Sequence, residues 1–326
     1  MKYTIFGESH GPAIGVTLTG VPSGVELDMD FILSELARRR PGQSPLSTAR
    51  SEADLPEILS GVFEGKTIGT PLCAIIRNTD TRSKDYSKLK VCPRPSHGDF
   101  AGSIRYDGCS DYRGGGHFSG RLTAPLVFAG ALAKLILKAA CGAEITSRIS
   151  MLEGIANPTE EQVEQIILAA KADGDSVGGS ISCTVTGLPA GFGAPDFGCN
   201  VEGIFSQHLF AVPAVKAVAF GAGFGFASMR GSAANDPFYM DGDAVKTRTN
   251  HAGGINGGIT NGMPVTFEAV IRPTPSISKE QDTVNLATGE NTKLVIGGRH
   301  DPCIVHRALP VIEAAAALAA CEVLGI

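Results

Sequence analysis

The sequence predicts an α+β sandwich, an internal helical layer between two antiparallel sheets, built from two related halves. Strand candidates at residues 15–21, 180–186, 214–220 and 264–271 alternate polar and apolar side chains. That alternation favours antiparallel sheets with one face on the core over a doubly wound parallel core. Two further segments, "LVFAGALAKLILKAAC" within 123–141 and "VIEAAAALAACEVLG" within 308–324, are apolar nearly all round, so each must be buried on most faces. Finally, "TGVPSG" at residues 19–24 recurs as "TGLPAG" at 186–191, about half the chain later. Each copy ends a strand candidate and precedes a helix candidate, as in two related halves, although a chance recurrence of a common turn gives the same string.

The remaining helix candidates follow from local signals. Residues 30–40 carry helical periodicity and stop at Pro41-Gly42. Residues 159–172 open with Thr159 and have Gln162 three positions on, a capping-box pattern. Residues 201–212 form the fifth. With 326 residues the chain is long enough to bury a large core, and residues 1–326 are expected to form one domain.

Composition narrows the function. Apolar residues make up 43% and charged residues 19%, as in a globular protein. No apolar run reads as long and charge-free enough to span a bilayer, and "MKYTIFGESHG" reaches polar residues too soon for a secretory signal. A soluble, cytoplasmic protein is expected. The eight cysteines show no CxxC or Cys/His cluster, so neither zinc nor a disulfide framework is suggested, and reduced, mostly buried thiols are expected. A formal net charge of −5 argues against a nucleic-acid binder, so any anion site must be local.

Several glycine-flanked stretches hold the residues that do chemistry. "FGESHG" (6–11) matches the Gly-x-Ser-x-Gly of a hydrolase elbow, but that elbow needs a helix directly after the serine. Here strand-like and turn-like residues follow, so Ser9 and His10 read either as a ligand-facing pair or as a hydrogen-bonded turn. "LARRRPGQSPLSTAR" places Arg38, Arg39 and Arg40 at a helix C-terminus, where cations suit the dipole. A solvated role suits Arg38 there, while constrained arginines up to Arg50 make forks for carboxylate or phosphate. "RPSHGDF" sets His97 between turn residues and beside Asp99, a proton-handling arrangement once several such histidines occur together. In "DYRGGGHFSGR" three consecutive glycines precede His117. Such a run needs positive φ or a close approach of backbone to something; an anion nest completed by Arg121 and the following helix N-terminus is one reading, a surface hairpin another.

Taken in order, "FGESHG", "RRRPGQS", "LSGVFEGKTIGTP", "NTDTRSKDYS", "DYRGGG", "GDSVGGSI", "NHAGGINGGI" and "GGRHDPC" resemble the chorismate synthase family from Phe6 to about Leu324. The resemblance implies conversion of 5-enolpyruvylshikimate 3-phosphate to chorismate by anti-1,4-elimination, with reduced FMN required. It implies a homotetramer with a helical layer between antiparallel sheets. Reduced flavin would come from an external flavin reductase or flavin pool, with NADPH behind it, since the chain has no room for a reductase domain. By matching motifs, Arg39, Arg50, Arg121 and Arg299 are substrate-binding candidates. His10 resembles the histidine that protonates reduced flavin and His97 the one that protonates departing phosphate. Asp301 would assist removal of the ring proton, favoured by Arg299 two residues away, with Ser9 orienting the groups around it. The FMN positions fall on His117, Phe118, Ser119, Pro213, Ala214, Gly257, Arg272, Pro273, Thr274, Pro275, Ser276 and Arg299. A non-catalytic flavin- or phosphate-binding relative is the alternative.

The chain departs from the usual pattern in several places. His117-Phe118-Ser119-Gly120-Arg121-Leu122-Thr123 stands where Arg-Ser-Ser-Ala-Arg-Glu-Thr is usual. Ser96 replaces a glycine, Pro45 an arginine and Pro213 an asparagine, leaving Arg105 and Arg113 as the candidates to replace the lost cation. The segment between Ile149 and Asp173 is shorter than usual, as is the C-terminal end.

Overall fold

The computed structural model describes residues 1–42, 52–79, 88–297 and 300–326. Its helices are α1 (Met29–Arg39), α2 (Asp99–Arg105), α3 (Thr123–Cys141), α4 (Glu160–Ala172), α5 (Val201–Phe210), α6 (Gly231–Ala234) and α7 (Val305–Val323). One sheet has the spatial order Lys2–Gly7, Ala13–Thr19, Leu72–Arg77, Pro56–Ser60. The other runs Val215–Phe220, Val265–Ile271, Gly179–Thr186, Glu144–Leu152, Ile155–Ala156. Among the described residues, every pairing in both is antiparallel.

Helices α3 and α7 lie along each other between the sheets, α3 against the first and α7 against the second, with α1 and α5 completing the layer. A Cβ at Gly130 would collide with Ala314, so small residues on both helices set how closely they approach. Apolar side chains from both sheets and from α1, α3, α4, α5 and α7 join one buried cluster. Helix α3 begins and ends where the periodicity places it. By length and composition, the segment Gly120–Cys141 could cross a membrane, which corrects the expectation that no such run exists; its apolarity is used here against two protein layers.

Local signals set most boundaries. Asp28 caps α1, accepting from Phe31 N at 2.9 Å. The capping box forms in both directions, with Gln162 N to Thr159 Oγ1 at 3.2 Å and Thr159 N to Gln162 Oε1 at 2.9 Å. Helix α7 starts a turn earlier than expected and carries Pro310 inside. The repeated turn follows Thr19 and Thr186, the last residues of central strands in the two sheets. Its glycines match, with φ of 74° and 78° at Gly20 and Gly187 and of 83° and 93° at Gly24 and Gly191.

Arg38 is a correction. Rather than being merely solvated, it grips Glu313 of α7 with two bonds of 2.7 and 2.8 Å and Glu35 with one of 2.7 Å. Lys134 of α3 and Ser147 also reach Glu313, each at 2.6 Å. Burial raises the Glu313 pKa and these partners more than reverse that, holding it below its usual value. The charges thereby tie α1, α3 and α7 together. Among the cysteines, Cys109 and Cys199 reach the surface and the others are buried or half-buried.

Candidate functional site

A cavity of about 300 Å³ opens where the first sheet, the N-termini of α3 and α7 and the loop after Val265–Ile271 converge. His10, Arg39, Arg94, His97, Arg121, Asp301 and Arg307 line it. The glycine run supplies part of its wall. Gly114, Gly115 and Gly116 have φ of 58°, 83° and 53°, the left-handed region open to glycine. A Cβ on Gly114 would lie 2.5 Å from His10 Cδ2 and 3.0 Å from Ser9 Oγ. One on Gly115 would lie 3.3 Å from His97 Cε1 and 3.4 Å from its Nε2. At Gly116 it would strike the carbonyl oxygen of Asp111. What approaches the glycines is therefore the pair of histidines, and the bare backbone lets both sit on one wall.

Ser9 and His10 occupy the turn between strands Lys2–Gly7 and Ala13–Thr19. Ser9 is fully buried, its N–H donating to Gly116 O at 3.1 Å. A strand rather than a helix follows it, which removes the strand-serine-helix geometry of a hydrolase elbow.

Carboxylates hold the arginines in place. Asp54 takes Arg39 Nη2 at 2.6 Å on one oxygen and Arg121 Nη1 on the other. Arg121 also donates to Asn78 Oδ1 at 3.0 Å, and Arg39 Nη1 to Thr123 Oγ1 at 3.2 Å. Arg307 bridges Arg39 O at 3.0 Å and Asp301 Oδ2 at 2.5 Å. Burial is the main influence on Arg39; Asp54 opposes it, Arg307 and Arg121 add to it, and the pKa falls to about 10. Asp54 is held below the usual carboxylate range by Arg39 and Arg121 despite its burial. The cavity thus concentrates positive charge that a bound anion would relieve.

His97 sits on a turn braced from outside the cavity. The hairpin Gln281–Asn285 with Glu290–Leu294 supports the preceding segment, with Thr283 Oγ1 donating to Pro93 O at 2.5 Å and Leu89, Cys92, Leu294 and Ile296 forming a small apolar cluster. Ser96 has φ of +60°, so a serine holds this turn in the left-handed region that favours glycine. Arg94 is bidentate on Asp99 at 2.7 and 2.8 Å and donates to Ser276 Oγ at 3.1 Å. Phe118 packs over Gly98 and Gly102, seating α2 beside the cavity.

Of the residues expected from the sequence, His10, His97, Asp301, Arg39 and Arg121 share this cavity, as do Phe118, Ser119, Pro213, Ala214 and Arg272 to Ser276. Ser9 stands immediately behind His10 and Gly114. Arg50 and Arg299 lie outside the described residues, as does Pro45. His117 is beside the cavity rather than in its lining, its Nδ1 3.1 Å from Gly7 O. Gly257 sits at the turn of hairpin Ile255–Asn256 with Ile259–Thr260, away from the lining. Neither candidate replacement cation reaches the cavity: Arg113 pairs with Asp111 at 2.8 Å and Arg105 lies over Tyr106. Arg94 and Arg307 do reach it. Their signal was present, Arg94 opening the His97 turn and Arg307 standing six residues after Asp301 in the first turn of α7, but only packing shows that both point inward. Asp54 gave no sequence signal at all.

Among the described residues, two polar atoms on cavity-lining residues, Thr274 Oγ1 and Arg39 Nε, are buried with no hydrogen-bond partner. Leaving such an atom unpaired costs about 1–3 kcal/mol, so both mark places where a ligand completes the site.

A sequence profile described as chorismate synthase matches residues 1–324. The chain is 46% identical over 318 residues to the chorismate synthase of Chitinophaga pinensis, covering 98% of this chain and 92% of that one. It is 44% identical to that of Methanothermobacter thermautotrophicus over 340 residues, covering 97% and 90%. A crystal structure of a chorismate synthase superposes with a TM-score of 0.76 at 26% identity, covering 99% of this chain and 91% of the other.

Proposed function

The chain belongs to the chorismate synthase family, and from that premise we propose that it converts 5-enolpyruvylshikimate 3-phosphate to chorismate and phosphate by anti-1,4-elimination, using reduced FMN. The observation that carries this reading is the meeting of His10, His97 and Asp301 in one cavity with five arginines, Arg39, Arg94, Arg121, Arg272 and Arg307. A mere anion binder needs the arginines and has no evident use for two imidazoles and a carboxylate set among them.

The substrate is a phosphate ester with two carboxylates. Arg39, Arg94, Arg121 and Arg307, each fixed by a carboxylate, carbonyl or hydroxyl partner, present planar donors suited to such groups, and Arg50 and Arg299 belong to the same proposed set. His97 holds a proton at Nε2 for the departing phosphate. Asp301, oriented by Arg307, accepts the proton that leaves the ring, and His10, seated on Gly114, is the second proton-holding imidazole. Reduced FMN, when bound, supplies an electron-rich ring system for an elimination with no net redox change. Phe118, Ser119, Pro213, Ala214 and residues 272–276 are positioned to hold it, with Thr274 Oγ1 and Arg39 Nε left without partners among the described residues. His117, beside the cavity, and Arg299 complete the proposed cofactor set, from which Gly257 is removed by its position away from the lining.

The protein is further proposed to work in the cytoplasm as a homotetramer of single-domain chains. It draws reduced flavin from a separate, NADPH-fed reductase or a flavin pool. The continuous apolar core supports one domain. Phe197, Phe224 and Phe238, at 106%, 83% and 67% relative exposure, support burial against other copies.

The test is an anaerobic assay with 5-enolpyruvylshikimate 3-phosphate and reduced or oxidised FMN, following chorismate and phosphate. Chorismate formed only with reduced flavin is the expected result. Folded protein that binds FMN yet gives no product with either form would make it a non-catalytic relative.

A further inference from the structure

The carboxylate of Asp99 does not line the cavity, yet it touches both His97 and Arg94, which do. Asp99 Oδ1 lies 2.6 Å from His97 Nδ1 and accepts from Arg94 Nη2 at 2.8 Å. Its other oxygen accepts from Arg94 Nε at 2.7 Å and from the Arg94 backbone N–H at 3.1 Å. Arg94 is anchored in turn by Ser276, so the carboxylate cannot swing away. His97 itself lines the cavity, and the Cε1–Nε2 side of its ring faces Gly115, next to the lining residue Gly114.

We propose that Asp99 is a positioning residue for His97: it keeps a proton on Nδ1 and so leaves Nε2, at the cavity, as the nitrogen that gives its proton to the departing phosphate. This rests on the role given to His97 above. A neutral imidazole has one N–H and one lone pair, and a carboxylate only accepts. Contact at 2.6 Å therefore requires the hydrogen on Nδ1. Arg94 Nη2, 3.0 Å from Nδ1, carries two hydrogens and gives one to Asp99 Oδ1; were Nδ1 to accept the other, its lone pair would face a carboxylate oxygen at 2.6 Å, so the Nδ1–H form is preferred. When Nε2 is protonated as well, the adjacent carboxylate stabilises the imidazolium, and transfer from Nε2 to a phosphate oxygen returns the ring to the Nδ1–H tautomer.

Asp99 does not itself relay the proton. Burial raises its pKa, but the bonds and charges of Arg94 and His97 overcome that and hold it far below the usual carboxylate range. Fixed tautomer and orientation are its contribution.

The first test reads the tautomer without turnover. The full chain is labelled with 15N-histidine and ring-nitrogen shifts are recorded above the imidazole titration, His97 being identified by signals lost in His97→Gln. Wild type should show a protonated Nδ1 and a bare Nε2; Asp99→Asn should shift the population to the Nε2–H form, and Asp99→Glu, which keeps the charge, should restore Nδ1–H. A wild-type His97 protonated on Nε2 overturns the proposal. The second test is a double-mutant cycle on kcat, with thermal melts and FMN titration confirming folded protein. Asp99→Asn should lower kcat roughly 10²–10⁴-fold, the range of a lost general acid, and by no more than about twofold in a His97→Ala background. Equal losses in both backgrounds would mean that Asp99 acts elsewhere and sink the idea. A wild type making no chorismate would refute the functional reading instead, with the tautomer experiment still deciding the placement of the proton.

Discussion

The glycine run makes one substitution in three consecutive places a graded experiment. Alanine in the left-handed region costs roughly 1–2 kcal/mol, and the stiffer unfolded chain offsets roughly 0.5–1 of that. A loss of about 0.5–1 kcal/mol is therefore expected at Gly114 and Gly115, and at least that at Gly116, whose ψ of −126° lies outside the left-handed well. The rest depends on what each Cβ meets. At Gly115 it lies 3.3 Å from His97, and a shift of a few tenths of an ångström relieves the contact, so kcat should fall only severalfold. At Gly114 it lies 2.5 Å from the His10 ring. The imidazole must move by about 1 Å to reach ordinary contact, and displacement on that scale costs roughly 10²-fold in rate. At Gly116 the obstacle is the backbone oxygen of Asp111, which no rotamer change can clear. Overpacking of roughly 1–3 kcal/mol adds to this loss, so this variant should be the least stable. The measurements are kcat in the anaerobic assay and urea unfolding for all three variants. Matching kcat losses for Gly114→Ala and Gly115→Ala, or a Gly116→Ala as stable as Gly115→Ala, would refute this account of the wall.

Four further outcomes are expected. His97→Ala should sharply lower turnover while FMN binding stays nearly unchanged in a fluorescence titration; full activity would remove His97 from the mechanism. Ser96→Gly should stabilise the chain by about 0.5–1 kcal/mol, the left-handed penalty less the entropy of glycine, read from the urea midpoint. Acid should destabilise the fold through Asp54 and Asp99: both have folded-state values below the unfolded one of about 3.9. Their stabilisation is complete above about pH 5 and is lost as pH falls through the unfolded value toward the folded ones, and Asp54→Asn should flatten that slope in urea titrations between pH 7 and 3. Millimolar inorganic phosphate should raise the melting temperature by binding the folded cavity, and a rise of equal size in Arg39→Gln would show that the buried arginine is not part of the anion site.

Legibility followed the range of the forces involved. Helix α3 and the Thr159 capping box were readable because periodicity and caps act within a few residues, and the ordered motifs placed His10, His97, Asp301, Arg39 and Arg121 on one list. Helix α7 begins a turn before residue 308, where packing against α3 and the second sheet, rather than any local signal, sets the start. Arg38 looked solvated for a similar reason: Glu313, its partner, is far along the chain.

By itself the sequence determined the sandwich class, the family resemblance and the identity of most chemical groups, since patterning and motif residues are local properties of the chain. Only the tertiary structure decided which groups meet. It set two histidines from separate segments against adjacent glycines, brought Arg94 and Arg307 into the cavity, made Asp54 the shared anchor of two arginines, and left Gly257 outside the lining. Those relations arise where sheets, helix ends and loops pack together, and the charges and unpaired polar atoms enclosed there acquire their roles from burial, which no short stretch of sequence encodes.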